Sequence, residues 1–96
     1  MKTANQIKAV LHRQLPDLSA RYPIRRLALF GSVARNEHTP QSDIDILVEF
    51  SQPVGFQFFE LAKDLENYLG QPVDLVSRNG IKPAYFAQIE ADLLDV

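Results

Sequence analysis

At 96 residues the chain is one domain with little room for a second, and a chain this short buries a smaller share of its surface than a mid-sized domain, so its stability margin is thin. Hydrophobic content of 46% excludes a disordered chain, the lack of cysteine excludes disulfides and thiolate metal sites, and a net charge of −2 speaks against broad, direct nucleic-acid binding. No apolar run approaches the length of a bilayer span and no charged-then-apolar leader opens the chain, which together predict a cytoplasmic protein without membrane contact.

Ile7, Val10, Leu11 and Leu15 recur at helical spacing and predict an amphipathic helix from about Asn5 to Leu15, capped by Thr3 or Asn5. Pro16 and Pro23 bracket an expected irregular piece. Ile24 to Phe30 reads as a first strand, broken by Gly31. Ser32 is then expected to N-cap a short helix over Val33 to about Asn36. A polar loop with Pro40 leads into a second strand, Asp43 to Phe50, and a turn at Ser51-Gln52-Pro53. A long helix from about Gly55 to Leu69 places Phe58, Leu61, Ala62, Leu65 and Leu69 on its core face. Gly70 ends it and Pro72 cannot extend it. Pro72 to Ser77 reads as a third strand. After a turn at Arg78-Asn79-Gly80, a last helix is expected from Pro83 to Leu94, with Pro83 suited to a first helical position. The order α-β-α-β-α-β-α predicts an α/β or α+β domain with a small central sheet. The short link between the first two strands admits an antiparallel pair, and the long helix can serve as a crossover between the second and third.

Chemistry concentrates in one segment, Gly31-Ser32 followed by Asp43-Ile44-Asp45. A strand that runs into Gly-Ser and then a helix leaves backbone N–H groups at the entry point, where they favour an anion. Gly31 lets a phosphate approach the backbone and the Ser32 hydroxyl adds a donor. Asp43 and Asp45, two apart on a strand, project to one face, while Ile44, Ile46 and Val48 supply core on the other. Adjacent anions repel, and a divalent cation relieves that repulsion; oxygen-only ligands suit Mg²⁺ or Mn²⁺. Asp74 sits inside the apolar third strand and joins the pair if that strand lies beside the second. Three carboxylates can hold two metals for a phosphoryl-type transfer. Taken singly, these features also read as a capped turn, a fraying strand end and an exposed edge acid. Four residues at the spacing Gly-Ser-x10-Asp-x-Asp arise by chance in roughly one such chain in a thousand at average residue usage. Among the other residues, Arg21, Arg25, Arg26 and Arg35 form either a local basic group or a solvated rim with scattered pairs. His12 is expected at the surface, His38 in a solvated loop, and Phe56, Phe58 and Phe59 as core and partner contacts.

These residues carry a resemblance. Gly31-Ser32-Val33-Ala34-Arg35, the strand Ser42-Asp43-Ile44-Asp45-Ile46-Leu47-Val48-Glu49-Phe50 and the strand Val73-Asp74-Leu75-Val76 resemble the polymerase-β-type nucleotidyltransferase superfamily. Length and flanks, including Ile81-Lys82-Pro83, resemble its minimal (MNT) branch, the antitoxin half of HEPN/MNT toxin–antitoxin pairs in bacteria and archaea. One departure is Asn36, where the branch often has glycine; asparagine tolerates a positive φ better than most residues. The resemblance implies a polymerase-β-like fold with a small mixed sheet flanked by helices. It also implies transfer of AMP from ATP to a tyrosine of a HEPN RNase toxin. Asp43, Asp45 and Asp74 would hold two Mg²⁺ ions, with Asp74 also helping to deprotonate the acceptor. Gly31 and Ser32 would cradle the phosphates, and Arg35 would support the turn or the nucleotide. Two other readings stay open: an antitoxin that inhibits by contact alone, and a small-molecule nucleotidyltransferase subunit of the aminoglycoside-modifying kind.

Overall fold

The computed structural model describes residues 2–96. The first helix, α1, spans Ala4–Arg21 and opens with a capping box, in which the Thr3 hydroxyl accepts from the Gln6 backbone N–H and the Gln6 side chain accepts from the Thr3 N–H. It runs on through Pro16, against the expected break. A proline inside a helix forfeits one backbone hydrogen bond, here to the carbonyl of His12, whose exposed position leaves that carbonyl within reach of water. The extra turn gains burial of Leu18 on the face already occupied by Ile7 and Leu11. Burying a leucine contributes ~1.5–3 kcal/mol, enough to offset much of the ~3 kcal/mol that proline costs.

Strand β1 (Ile24–Leu29) leads into a single helical turn, α2 (Gly31–Ala34), and β2 (Ile44–Phe50) follows. Helix α3 (Gln57–Leu69) ends at Gly70, whose φ of +68° gives the left-handed cap that glycine adopts without strain. Strand β3 (Val73–Ser77) and helix α4 (Pro83–Ile89) come next. The expected last helix is shorter than its sequence pattern suggests. It tightens into a 3₁₀ turn at Glu90–Asp92, and the chain then extends as a fourth strand, β4 (Leu94–Asp95). What draws the tail out of helix is pairing with β1: the Val96 N–H donates to the Leu27 carbonyl at 3.0 Å and Arg26 pairs with Asp95 at 2.7 Å.

The sheet has the order β3-β2-β1-β4, with β1 antiparallel to both of its neighbours and β2 parallel to β3. A parallel pair needs a crossover, and α3 supplies it. Helices α1 and α3 cover one face. Their Ile7, Leu11, Leu18, Leu61, Leu65 and Leu69 pack on Leu27, Leu29, Ile44, Ile46, Val48 and Phe50. The opposite face carries a smaller cluster of Phe30, Leu47 and Ile89, roofed by the short α4. Strand alternation explains the division, since Asp45, Leu47 and Glu49 point away from the large core. Among the described residues no helix is long and apolar enough to cross a membrane.

Candidate active site

Parallel pairing of β2 with β3 sets Asp45 directly opposite Asp74 on the face that α4 only partly roofs. Asp43 lies just before β2, exposed, rather than within the strand. The three acids share one electrostatic neighbourhood. The Asp45 carboxyl is pushed up from 3.8 to about 6, first by burial, then by the negative charges of Asp74 and Asp43 and a hydrogen bond to Asp74, with Arg35 opposing. Asp74 itself is exposed on the edge strand. The sequence left open whether the third strand would bring its acid to the other two; the register brings it alongside Asp45.

The Gly31 turn touches the same carboxylate. The Phe30 N–H donates to the Asp45 carbonyl at 3.1 Å, which holds the turn beside the strand. Gly31 has a φ of +69°, and a Cβ built there would overlap Oδ2 of Asp45. Glycine is therefore required twice at this position, for its backbone conformation and for the space of its missing side chain. Ser32 is not the N-cap. Phe30 occupies that position, with no side-chain cap, because Gly31 already turns the chain into the helix. The Ser32 hydroxyl makes no hydrogen bond among the described residues, and the first-turn N–H groups have no partner within so short a helix. A hydroxyl and backbone donors are thus available next to a half-buried carboxylate.

Arg35 braces this turn. Its guanidinium pairs with Glu37 at 2.9 Å and Asp92 at 2.5 Å, tying α2 to the 3₁₀ turn, and both contacts raise its already high pKa. Asn36 follows with a φ of +57°, the positive value that the sequence anticipated, and its Oδ1 accepts from the Ala4 N–H at 2.8 Å. A glycine there could supply the conformation but not the bond. His38, expected in solvent, is buried: its Nε2 lies 2.8 Å from the Lys2 carbonyl, to which it donates, leaving Nδ1 without a partner. The arginines resolve into scattered pairs, Arg21 with Asp17 and Asp64, Arg26 with Asp95, and Arg25 at 4.0 Å from Glu49. Of the three phenylalanines expected as core and partner contacts, Phe58 packs against the core while Phe56 and Phe59 are 84% and 68% exposed. His12 is at the surface, as expected.

Composition and spacing gave no reason to single out the residues across from the turn. A cleft of about 460 Å³ opens beside Asp74, walled by Val76, Ile81, Lys82 and Tyr85. The sequence drew attention to Ile81-Lys82-Pro83 only as a flank of the resemblance and to Tyr85 not at all; the chain after β3 brings them beside Asp74. A second cleft of about 440 Å³, walled by Arg25, Ser51, Gln52 and Asn79 among others, contains none of the three acids.

The acids form an open arrangement. Among the described residues no three His, Cys, Asp or Glu side chains close into a metal cage. Openness suits Mg²⁺, which is commonly held by one or two carboxylates and completes its shell with water and substrate phosphates. The donor set fits such an ion: Asp45 and Asp74 are register partners on one sheet face, and the upward push on Asp45, first from burial and then from the charges of Asp74 and Asp43, is one that a bound cation would offset.

Residues 11–94 match the family model described as the nucleotidyltransferase domain. A Methanocaldococcus jannaschii relative provisionally named a protein adenylyltransferase is 47% identical over 98 residues, covering 100% of both chains. A solved structure described provisionally as a minimal nucleotidyltransferase is similar with a TM-score of 0.82 and 31% identity, covering 99% of this chain and 97% of that one. A structure of a tri-AMPylated Shewanella oneidensis HEPN toxin in complex with MNT antitoxin is similar with a TM-score of 0.62 and 25% identity, covering 96% of this chain and 66% of that one.

Proposed function

The chain belongs to the nucleotidyltransferase domain family, and from that premise we propose that it is an antitoxin that transfers AMP from ATP to a tyrosine hydroxyl of a HEPN-type RNase toxin, silencing it in the cytoplasm. The observation that carries the reading is Asp45 set opposite Asp74 beside a Gly31 turn that leaves no room for a side chain. Acids and anion-binding turn lie within one short reach, as a nucleoside triphosphate with its metal requires. The AMPylated toxin in the Shewanella complex supports a HEPN toxin as the acceptor protein.

Asp43 and Asp45 would hold Mg²⁺ on the triphosphate and share a second ion, which Asp74 would complete. Bound Mg²⁺ supplies charge neutralisation on the phosphates and a positive environment for the entering oxygen. Gly31 brings backbone N–H groups against the phosphates and Ser32 adds its hydroxyl. Asp74, on the exposed side of the pair, would help to take the acceptor's proton. Arg35, engaged by Glu37 and Asp92, keeps the turn in position and tempers the charge at Asp45.

Mass spectrometry of a HEPN partner incubated with this protein, ATP and Mg²⁺ tests the reading. The expected product is AMP on a tyrosine, absent with Asp43→Asn. Tight binding of an unmodified partner would replace transfer with inhibition by contact.

A further inference from the structure

The chain has three tyrosines, and their surroundings differ. The buried Tyr22 donates its hydroxyl to Asp64 at 2.6 Å. Tyr68 donates to Asp17 at 3.3 Å and accepts from Arg21 at 3.2 Å. Both belong to the α1/α3 layer, on the far side of the sheet from the acids. Tyr85 makes no hydrogen bond among the described residues, is 40% exposed, and lines the same cleft as Asp74. Lys82, the N-cap of α4, shares that cleft and has no ion-pair partner among the described residues. The helix that carries Tyr85 is anchored to the sheet: Ile89 is buried against Phe30 and Leu47, and the Arg78 guanidinium lies 3.9 Å over the Phe86 ring. One cleft therefore holds an unengaged phenol, an unpaired cation suited to triphosphate charge, and the acid on the acceptor side of the proposed reaction.

We propose that Tyr85 is itself a modification site, an acceptor that receives AMP when no protein partner occupies the cleft. The proposal rests on the nucleotidyl-transfer reading of the acid cluster. In the step, the Tyr85 phenolic oxygen forms a bond to the α-phosphorus of ATP. The bridging bond from the α-phosphorus to the pyrophosphate oxygen breaks, and pyrophosphate leaves with that electron pair. The phenolic proton passes to solvent, which reaches this exposed side chain. The product carries an AMP group across the cleft that an external acceptor would enter, so modification at Tyr85 would compete with modification of a partner.

The test incubates the purified full chain with ATP and Mg²⁺ and no partner, followed by intact-mass and peptide mass spectrometry. Tyr85→Phe and Asp45→Asn are run beside it, and a parallel tube contains a HEPN partner as acceptor. The expected result is one AMP on the peptide containing Tyr85, absent from both variants. Circular dichroism confirms that Tyr85→Phe folds, as loss of an exposed and unbonded hydroxyl leads one to expect. AMP on the HEPN partner with none on Tyr85 overturns self-modification and leaves the transferase reading standing. AMP on neither overturns both. AMP on another residue, persisting in Tyr85→Phe, overturns the assignment to Tyr85.

Discussion

Replacing Asp45 with asparagine should make the protein more stable at neutral pH and inactive. The carboxyl titrates near 3.8 when free and is pushed up to about 6 in the fold, chiefly by burial and then by Asp74 and Asp43. Below 3.8 it is protonated in the folded and unfolded chain alike and carries no penalty. Between 3.8 and about 6 the unfolded chain gives up the proton while the folded chain keeps it, so stability falls as pH rises. Above that window both forms are ionised and the full penalty persists. A shift of that size corresponds to about 3 kcal/mol at full strength. Asp45 is only half-buried and solvent screens part of the repulsion, which brings the expected gain from Asp45→Asn down to about 1–2 kcal/mol. Urea denaturation of both proteins at about pH 3.5 and about pH 8 reads the difference, which should be near zero in acid and fully developed in base. Saturating Mg²⁺ at pH 8 should narrow the gap by stabilising the wild type more than the variant. A variant no more stable than wild type at pH 8, or equally stabilised at both pH values, would refute the reasoning.

Gly31→Ala forces a methyl group into a φ of +69° and into the Asp45 carboxylate, so it should abolish transfer and cost ~1–2 kcal/mol from the backbone alone. Adding Asp45→Ala relieves the overlap, and urea denaturation should show the double variant losing less than the sum of the two. At Asn36, glycine keeps the positive φ and loses only the bond from the Ala4 N–H, costing about 1 kcal/mol, whereas alanine loses both and costs ~2–3 kcal/mol. Equal losses in the two Asn36 variants would mean that the positive φ is irrelevant. Asp74→Asn should lower kcat more than it weakens ATP binding, and NMR titration should find the Asp45 carboxyl moved part of the way back toward 3.8, because one of its repulsive neighbours is gone. Asp43→Asn should abolish transfer with little change in stability, since Asp43 is exposed.

The acids and the turn were legible because their signals are local. Asp43 and Asp45 are two residues apart, Gly31-Ser32 interrupts an apolar strand, and Asp74 stands out against the valines and leucine around it. The helix-covered core was legible for the same reason, through helical spacing in α3 and alternation in β2. The parts that escaped depend on distant residues. Continuation of α1 past Pro16 is decided by a pocket for Leu18 in the assembled core. His38 is buried by a bond to the carbonyl of Lys2, 36 positions earlier. The tail leaves helix for strand because β1 offers an open edge and Arg26 a partner for Asp95, and helical spacing within the tail contains no trace of either. The positive φ at Asn36 was anticipated from the glycine that the resembling branch often has there and from asparagine's tolerance of that conformation, but its bond to the start of α1 was not.

The two faces of the sheet divide the work of a chain with little stability to spare. The α1/α3 face carries the large apolar core, and every buried residue of α1 and α3 except Ala4 packs into it. The other face is roofed only by a seven-residue helix over Phe30 and Leu47. A longer roof would bury Asp45 and Asp74 further and raise the cost of keeping both ionised. A shorter one would release the cluster of Phe30, Leu47 and Ile89 that adjoins the Gly31 turn. The length of α4 thus sets two quantities together: how much repulsion the acids store for a cation to relieve, and how firmly the turn beside them is held. Lengthening α4 toward the acids should therefore push the Asp45 carboxyl further up, which NMR titration reads, even though it adds apolar contacts elsewhere on that face.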